Sequence, residues 1–97
     1  MAMNGSVSRK QRVAFNLSAP EARSVQLVGC FTDWEKSPVN LKRQKNGLWK
    51  TTVSLVPGTY QYRFLVDGQW QDDPACTARE PNAFGSENCV LTVVAMA

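Results

Sequence analysis

The sequence contains no histidine, the side chain that serves most often as a general base and as a metal ligand. Ser-His-Asp and Cys-His catalytic arrangements are therefore excluded. The glycines form neither a GxGxxG nor a GxxxxGK[ST] loop, so no phosphate-binding motif of these two kinds is present. We expect no cofactor, no metal site and no catalysis.

Cysteine is scarce, and Cys30, Cys76 and Cys89 show no CxxC spacing. An odd number of cysteines without CxxC spacing indicates neither a full disulfide framework nor a zinc site. Free thiols are the favoured interpretation. A single disulfide with one cysteine left over stays open, because pairing depends on Cα separations that the sequence does not give.

Long apolar runs are also lacking. No stretch approaches the ~20 residues that cross a bilayer, and the amino-terminal segment MAMNGSVSRKQR has no apolar signal core. We therefore expect a soluble, cytoplasmic protein without a membrane partner. The formal charge of +3 is small, and basic clusters at 9–12 and 42–45 either attract polyanions or simply solvate a terminus and a turn.

What the sequence does contain is a series of short segments with period-2 alternation, which is typical of half-buried strands. They lie at 13–17, 24–29, 48–55, 60–66 and 90–94, with a weaker segment at 39–43. Turns are expected at Asn46-Gly47, Pro57-Gly58 and Asp67-Gly68, and the polar stretch 72–88 is expected to be a long loop.

These strands and turns predict an all-β fold, an antiparallel β-sandwich of about seven strands. A chain of 97 residues is enough for one such domain. We assign residues 11–97 to it and expect residues 1–10, which are mostly polar, to be disordered. Gly29, at the end of its strand, indicates a close backbone approach or a bulge.

The three tryptophans fall into two groups. Trp49 is in phase with Val53 and Leu55, which predicts a core indole with its N–H bonded. Trp34 and Trp70 lie outside the alternating runs among polar residues, so they either cap the sandwich or form a binding platform. An exposed indole covers the C–H face of a pyranose ring while nearby polar groups bond the hydroxyls, so sugar binding is our leading hypothesis.

One carboxylate pair, Asp72-Asp73, is adjacent in sequence. Glycoside hydrolysis needs two acids on opposite sides of the scissile bond, and neighbours along the chain rarely reach that geometry. In extended chain their side chains point in opposite directions, and an acid before Pro74 is a common turn opener. The pair therefore gives little support for an enzyme.

Several separated motifs together resemble the family 48 carbohydrate-binding modules. They are the segment 25–34 that ends in CFTDW, the turn Pro57-Gly58, YQYRF at 60–64, VDGQW at 66–70 and Asp73-Pro74. This family includes the glycogen-binding domain of the AMP-activated protein kinase β subunit and the amino-terminal domains of isoamylases and branching enzymes. The resemblance covers about 24–94 and implies an immunoglobulin-like β-sandwich that binds α-1,4-linked glucan, such as glycogen or starch, without cleaving it.

The resemblance also implies a set of site residues. Trp34 and Trp70 would be the stacking platforms, and hydroxyl contacts would come from Arg63, Ser86 and Asn88. To these we add Gln69, an amide next to the indole of Trp70, as a further residue expected to bond sugar hydroxyls. Arg63 stands where kinase-type members have lysine, and its planar fork reads a different hydroxyl pattern. Phe84 is bulkier than the usual loop residue, so it either adds a stacking surface or blocks a curved glucan.

Two other functions compete with glucan binding. The first is a protein-interaction module that docks on a glucan-metabolising enzyme or a kinase scaffold through exposed strand edges. The second is single-stranded nucleic-acid binding by aromatic and basic residues, which is the weakest hypothesis because the net charge is small and acids flank Trp34 and Trp70. We expect no nucleic-acid partner.

Overall fold

The structure is a computed structural model that describes residues 9–82 and 85–94, and nine β-strands lie in these ranges. In chain order the strands are β1 (Gln11–Ser18), β2 (Val25–Gly29), β3 (Val39–Asn40), β4 (Lys42–Arg43), β5 (Leu48–Leu55), β6 (Gly58–Val66), β7 (Gln69–Gln71), β8 (Arg79–Pro81) and β9 (Glu87–Val93). Within the same two ranges, no helix has the length and apolar character needed to cross a membrane.

The strands form two antiparallel sheets. In the smaller sheet β5 lies between β1 and β4, and in the larger sheet the order is β3-β2-β6-β9-β8, with β7 also paired to β6. Since β5 and β6 belong to different sheets, the turn at Pro57 carries the chain from one sheet to the other. The predicted immunoglobulin-like antiparallel β-sandwich is confirmed in its all-β class and two-sheet arrangement. The strand count exceeds seven because the predicted segment 39–43 is divided into β3 and β4, and because β7 and β8 are too short to show alternation in sequence.

The inward faces of the sheets meet in one hydrophobic core. Successive side chains of a strand point to opposite faces, so β6 buries Tyr62 and Phe64 and directs Arg63 outward. Trp49 is 6% exposed, and its Nε1–H donates a hydrogen bond of 3.0 Å to the carbonyl oxygen of Ala19. The predicted core indole with a bonded N–H is confirmed.

Turn and glycine positions explain how the strands are joined. The predicted turns at Asn46-Gly47 and Asp67-Gly68 are confirmed, and all four residues have positive φ. Gly29 lies where the backbone of β6 passes closely, because an added Cβ would be 2.5 Å from the carbonyl oxygen of Gln61 and 3.0 Å from Cβ of Tyr62. The predicted close approach is confirmed, and any larger residue at this position would push β2 and β6 apart.

The segment 72–88 differs from the predicted loop. Strand β8 lies within it and pairs with β9, which begins at Glu87 rather than at Val90. The side chains of β8, Arg79 to Pro81, are exposed, and its backbone is aligned by hydrogen bonds to β9. No apolar alternation marks such a strand in the sequence, so it could not be found there.

The cysteine prediction was wrong for two of the three residues. Cys76 and Cys89 form a disulfide, with Cα atoms 6.0 Å apart across a separation of 13 residues. Cys30 is free and exposed. The fold brings Cys76 to the start of β9, and this proximity has no signal in cysteine spacing alone.

Candidate functional site

The middle of β6 is the point on which the candidate site is built. Two strands share one edge of β6 end to end: Gln71 at the end of β7 pairs with Phe64, and Cys89 near the start of β9 pairs with Tyr62. The chain leaves this edge after Gln71 and returns to it before Cys89. Residues that follow β7 and precede β9 therefore meet beside Arg63.

An open groove of about 380 Å³ lies at this place. It is lined by Trp34, Glu35, Arg63, Trp70, Asn82, Ser86 and Asn88. Its volume falls within the range of about 300–1,000 Å³ that is typical of ligand pockets. The structure thus brings together five of the seven site residues expected from the sequence, namely Trp34, Arg63, Trp70, Ser86 and Asn88.

Trp70 reaches the groove from the hairpin of β6 and β7. The turn at Asp67-Gly68 sets a register in which Trp70 lies opposite Leu65. Trp70 is 44% exposed, and Cζ of Arg63 lies 5.4 Å from the centroid of its ring. Gln69, its neighbour in β7, points to the opposite side of the strand and does not line the groove.

Trp34 reaches the groove from a 3₁₀ turn, Trp34–Lys36, that follows β2. Asp33 and Trp34 have φ values of 54° and 55°, a left-handed conformation that few residues other than glycine adopt. Buried Thr32 secures this turn, because its Oγ1 lies 2.8 Å from the carbonyl oxygen of Trp34 and accepts a 3.0 Å hydrogen bond from the N–H of Gly29. This hydroxyl therefore links the backbone at Gly29 to the backbone at Trp34.

A chain of hydrogen bonds joins the polar residues of the groove. Asn88, which is 6% exposed, donates from Nδ2 to Oε1 of Gln61 and accepts at Oδ1 from Nδ2 of Asn82, both at 3.0 Å. Asn82 also donates to Oγ of Ser86 at 3.0 Å, and the same oxygen accepts from Nη1 of Arg63 at 3.2 Å. These side chains are therefore held in place by one another.

Asp72 holds the other side of the Arg63 guanidinium. Its Oδ1 accepts a hydrogen bond of 3.1 Å from Nε of Arg63, and its Oδ2 lies 3.0 Å from Nη1 of Arg79. Asp72 thus neutralises positive charge beside the groove. The guanidinium of Arg63 keeps further N–H groups with which it can donate to a ligand.

Asp73 has a separate, structural role. It is buried, and its Oδ2 accepts a hydrogen bond of 2.6 Å from the hydroxyl of Tyr62. Burial in the core, reinforced by this bond to Asp73, raises the pKa of Tyr62 well above its usual range. Because Asp72 and Asp73 bond different partners on the two sides of the sheet, they do not flank a common bond.

The described residues also contain no group of three or more Cys, Asp or Glu that could hold a metal ion.

Three contributors to the site were missed by sequence reasoning. Glu35 and Asn82 line the groove, and Gln61 bonds the groove residue Asn88. Gln61 had a usable signal, because it alternates with the buried residues Tyr62 and Phe64 of β6 in the same phase as Arg63. Glu35 and Asn82 belong to turns, where alternation gives no direction. Phe84 lies outside the described residues, so its role stays a prediction.

Comparison with known proteins finds similar chains of two kinds. This chain is 34% identical over 82 residues to Protein FLOURY ENDOSPERM 6, chloroplastic, of Oryza sativa subsp. japonica. The aligned segment covers 84% of this chain and 15% of that protein. The chain is 40% identical over 53 residues to Protein PTST homolog 2, chloroplastic, of Arabidopsis thaliana, with 55% and 10% covered. It is 43% identical over 53 residues to 5'-AMP-activated protein kinase subunit beta-1 of Sus scrofa, with 55% and 41% covered. The chain spans less than half the length of each of these relatives.

The comparison overturns the predicted compartment. The rice and Arabidopsis relatives are named as chloroplastic proteins, so the prediction of a cytoplasmic location was wrong. That prediction was based on the lack of an apolar segment near residue 1, a feature that does not distinguish the cytoplasm from a plastid.

The family model described as "Glycogen recognition site of AMP-activated protein kinase" matches residues 12–97, a range that includes every residue of the groove. This match confirms the resemblance to family 48 carbohydrate-binding modules that the motifs around Trp34 and Trp70 indicated. Carbohydrate recognition also suits the groove itself, which combines exposed indole with fixed hydrogen-bonding groups. The chain belongs to the family of the glycogen recognition site of AMP-activated protein kinase.

Proposed function

We propose that this chain binds α-1,4-linked glucan, as found in glycogen, starch and maltooligosaccharides, in the groove lined by Trp34 and Trp70, and that it does so without cleaving the glucan. One observation carries the proposal: two tryptophans that are far apart in sequence line the same groove, with Arg63 and Ser86 at its polar edge. A flat apolar surface beside fixed donors is what a pyranose ring requires.

The indole faces supply the apolar part of the contact. A pyranose ring has C–H groups on its faces and hydroxyls around its edge, so it stacks on indole and leaves its hydroxyls free to bond. Burial of roughly 160 Å² of apolar surface by stacking contributes about 4 kcal/mol. Trp70, which is the more exposed of the two rings, offers the larger share of this surface.

The polar part comes from the hydrogen-bonded side chains at the edge of the rings. We assign the hydroxyl contacts to Arg63, Asn82, Ser86 and Asn88. Since these residues already bond one another, little side-chain freedom is lost when a sugar binds, and that reduces the entropic cost of association. Gln69 is not assigned a contact, because it lies outside the groove.

The expected affinity is modest. About four to six hydrogen bonds add about 1 kcal/mol each, and association costs ~4 kcal/mol, which offsets the contribution of stacking. A short oligosaccharide should therefore bind with about −6 to −4 kcal/mol, which corresponds to a Kd from tens of micromolar to about 1 mM. A branched glucan presents many chains, so several modules or a linked partner would retain it more tightly.

The relatives support two further parts of the proposal. One relative is a subunit of a kinase, so we propose that this chain acts beside a glucan-metabolising enzyme or a kinase scaffold. The plant relatives are named as chloroplastic, and they support a plastid as its compartment. The absence of cleavage is tested by incubating the protein with maltoheptaose and assaying for new reducing ends, none of which should appear.

The central experiment is a titration with maltoheptaose followed by tryptophan fluorescence, repeated for Trp34→Ala and Trp70→Ala. Val56→Ala is the matched control, because Val56 is an exposed apolar residue outside the groove. Each tryptophan variant should weaken binding at least tenfold, whereas the control should bind like the parent. No response of the parent up to millimolar sugar would refute the function, and unchanged affinity in both tryptophan variants would refute the site.

A further inference from the structure

The disulfide between Cys76 and Cys89 lies on the core side of the residues that form the groove, and glucan binding as proposed does not account for it. Cys89 is fully buried and directly follows Asn88, which lines the groove. Cys76 is partly exposed and belongs to the segment that leaves β7, four residues after Asp72. The bond therefore joins two stretches of chain that each hold part of the site.

Each stretch forms a different wall of the groove. The first, from β7 to Cys76, carries Trp70 and also Asp72, which bonds Nε of Arg63. The second, leading into β9, carries Ser86 and Asn88. Arg63 lies at their junction, since it bonds Asp72 on one side and Ser86 on the other. A change in the distance between the two walls would therefore change which ligand atoms the guanidinium of Arg63 can contact.

We propose that the Cys76–Cys89 disulfide positions the two walls of the groove, so that the oxidised protein binds glucan more tightly than the reduced protein. This inference rests on the proposed function. The two cysteines are positioning residues, because they act through Asp72, Ser86 and Asn88 and are not assigned a contact with the sugar.

The chemical step is a thiol–disulfide exchange with a small dithiol. The dithiol gives two electrons and two protons, the Sγ–Sγ bond breaks, each cysteine becomes a thiol, and the dithiol leaves as a cyclic disulfide. The pairing of β8 with β9 is made by backbone groups and not by the sulfur atoms, so we expect the fold to persist after reduction while the covalent link between the walls is lost. The expected effect is a weaker site in a folded protein.

The size of the effect follows from the contacts that would loosen. One hydrogen bond is worth roughly a fivefold change in affinity. If the contacts of Arg63 and Ser86 with the sugar are partly lost, the reduced protein should bind maltoheptaose about 5- to 20-fold more weakly.

The experiment compares maltoheptaose affinity before and after reduction with dithiothreitol, at a temperature where circular dichroism shows both forms to be folded. A thiol count on the denatured, non-reduced protein should give one free thiol, that of Cys30. Cys76→Ser should bind like the reduced parent and should not respond to dithiothreitol. Cys30→Ser, the matched control, should keep the full response.

A second measurement separates positioning from a general effect on stability. Ser86→Ala should weaken binding several-fold in the oxidised protein and much less in the reduced protein, because the contact it removes is already impaired there. A bond that only stabilised the fold would leave the effect of Ser86→Ala the same in both forms.

Several outcomes would overturn the inference: three free thiols in the non-reduced protein, equal affinity of the two forms, an unchanged effect of Ser86→Ala, or unfolding of both the reduced protein and Cys76→Ser. In each of these cases, binding by the non-reduced parent would leave the proposed function intact. Absence of binding in both forms would overturn the proposed function, and this inference with it.

Discussion

The guanidinium carbon of Arg63 lies 5.4 Å from the centroid of the Trp70 ring. The same guanidinium donates hydrogen bonds to Asp72 and to Ser86. One side chain therefore contacts the stacking ring, the carboxylate that neutralises its own charge, and the polar edge of the groove. A cation placed over the face of an indole is attracted to the ring, so this contact helps to hold the Trp70 ring beside Arg63. The stacking and hydrogen-bonding parts of the site are therefore coupled through Arg63.

We predict that Arg63→Met weakens maltoheptaose binding about 10- to 100-fold, because hydrogen bonds from a charged donor are worth about 1.5–3 kcal/mol. Isothermal titration calorimetry measures the change. Arg12→Met is the matched control, since it removes the same charge from an exposed position of β1 in the other sheet. Equal affinities of the two variants would show that Arg63 makes no contact with glucan.

Arg63→Lys separates charge from geometry. Lysine keeps the positive charge but cannot present the planar fork that bonds Asp72 and Ser86 at the same time. Its affinity should fall between those of the parent and Arg63→Met when the three proteins are titrated under the same conditions. An affinity equal to that of Arg63→Met would mean that fork geometry, rather than charge, accounts for the whole contribution.

A site residue can be predicted from sequence when its neighbours along the chain determine its position. It cannot be predicted in this way when contacts between distant parts of the chain determine it. Trp70 was predictable because its local sequence sets it among polar residues outside the alternating runs, next to the two-residue turn at Asp67-Gly68, and the structure places it opposite Leu65. Gln69 was expected to bond hydroxyls because it is an amide beside that indole, and the sequence predicts no strand at 69–71. The three residues form a strand, so Gln69 and Trp70 face opposite ways.

Residues placed by long-range packing could not be predicted in this way. Asn82 joins the groove because β8 pairs with β9, which brings Asn82 into contact with Ser86 and Asn88. The Cys76–Cys89 bond has the same origin, since the cysteine spacing says nothing of Cα distances. The two-sheet fold, in contrast, could be predicted from the sequence. It follows from apolar alternation and turn residues, whose effects extend over only a few positions.

Thr32 is expected to affect binding without lining the groove. Thr32→Val should destabilise the protein by about 1–3 kcal/mol, because the buried N–H of Gly29 loses its hydroxyl acceptor. It should also weaken maltoheptaose binding several-fold, because the carbonyl of Trp34 is no longer held. Urea denaturation and titration measure the two effects. Thr52→Val, at an exposed position of β5, is the control and should change neither.

Trp49 should show the opposite pattern, with a loss of stability and no loss of binding. Trp49→Phe removes the hydrogen bond to Ala19 and leaves a smaller ring in the core, so the free energy of unfolding should fall by about 2–4 kcal/mol. The maltoheptaose affinity of the folded variant should match that of the parent. A weaker affinity in a fully folded sample would place Trp49, rather than only Trp34 and Trp70, in the recognition of glucan.

Tyr62 should make the protein less stable at high pH. Its raised pKa means that the folded state keeps the phenolic proton after an unfolded chain, with a tyrosine pKa of about 10, has lost it. Above about pH 10 the unfolded state therefore binds fewer protons than the folded state, and the free energy of unfolding falls by up to ~1.4 kcal/mol per pH unit from this group. Below that pH the contribution of Tyr62 is fully present.

Urea denaturation from about pH 8 to about pH 11 tests this dependence. Tyr62→Phe should be less stable than the parent at the lower pH, because Asp73 loses the hydroxyl donor, and its stability should fall less steeply as the pH rises. Tyr60→Phe is the matched control and should keep the parental slope, because Tyr62 is still present. If all three proteins lost stability in parallel above about pH 10, the buried Tyr62–Asp73 pair would not be the source of the alkaline loss.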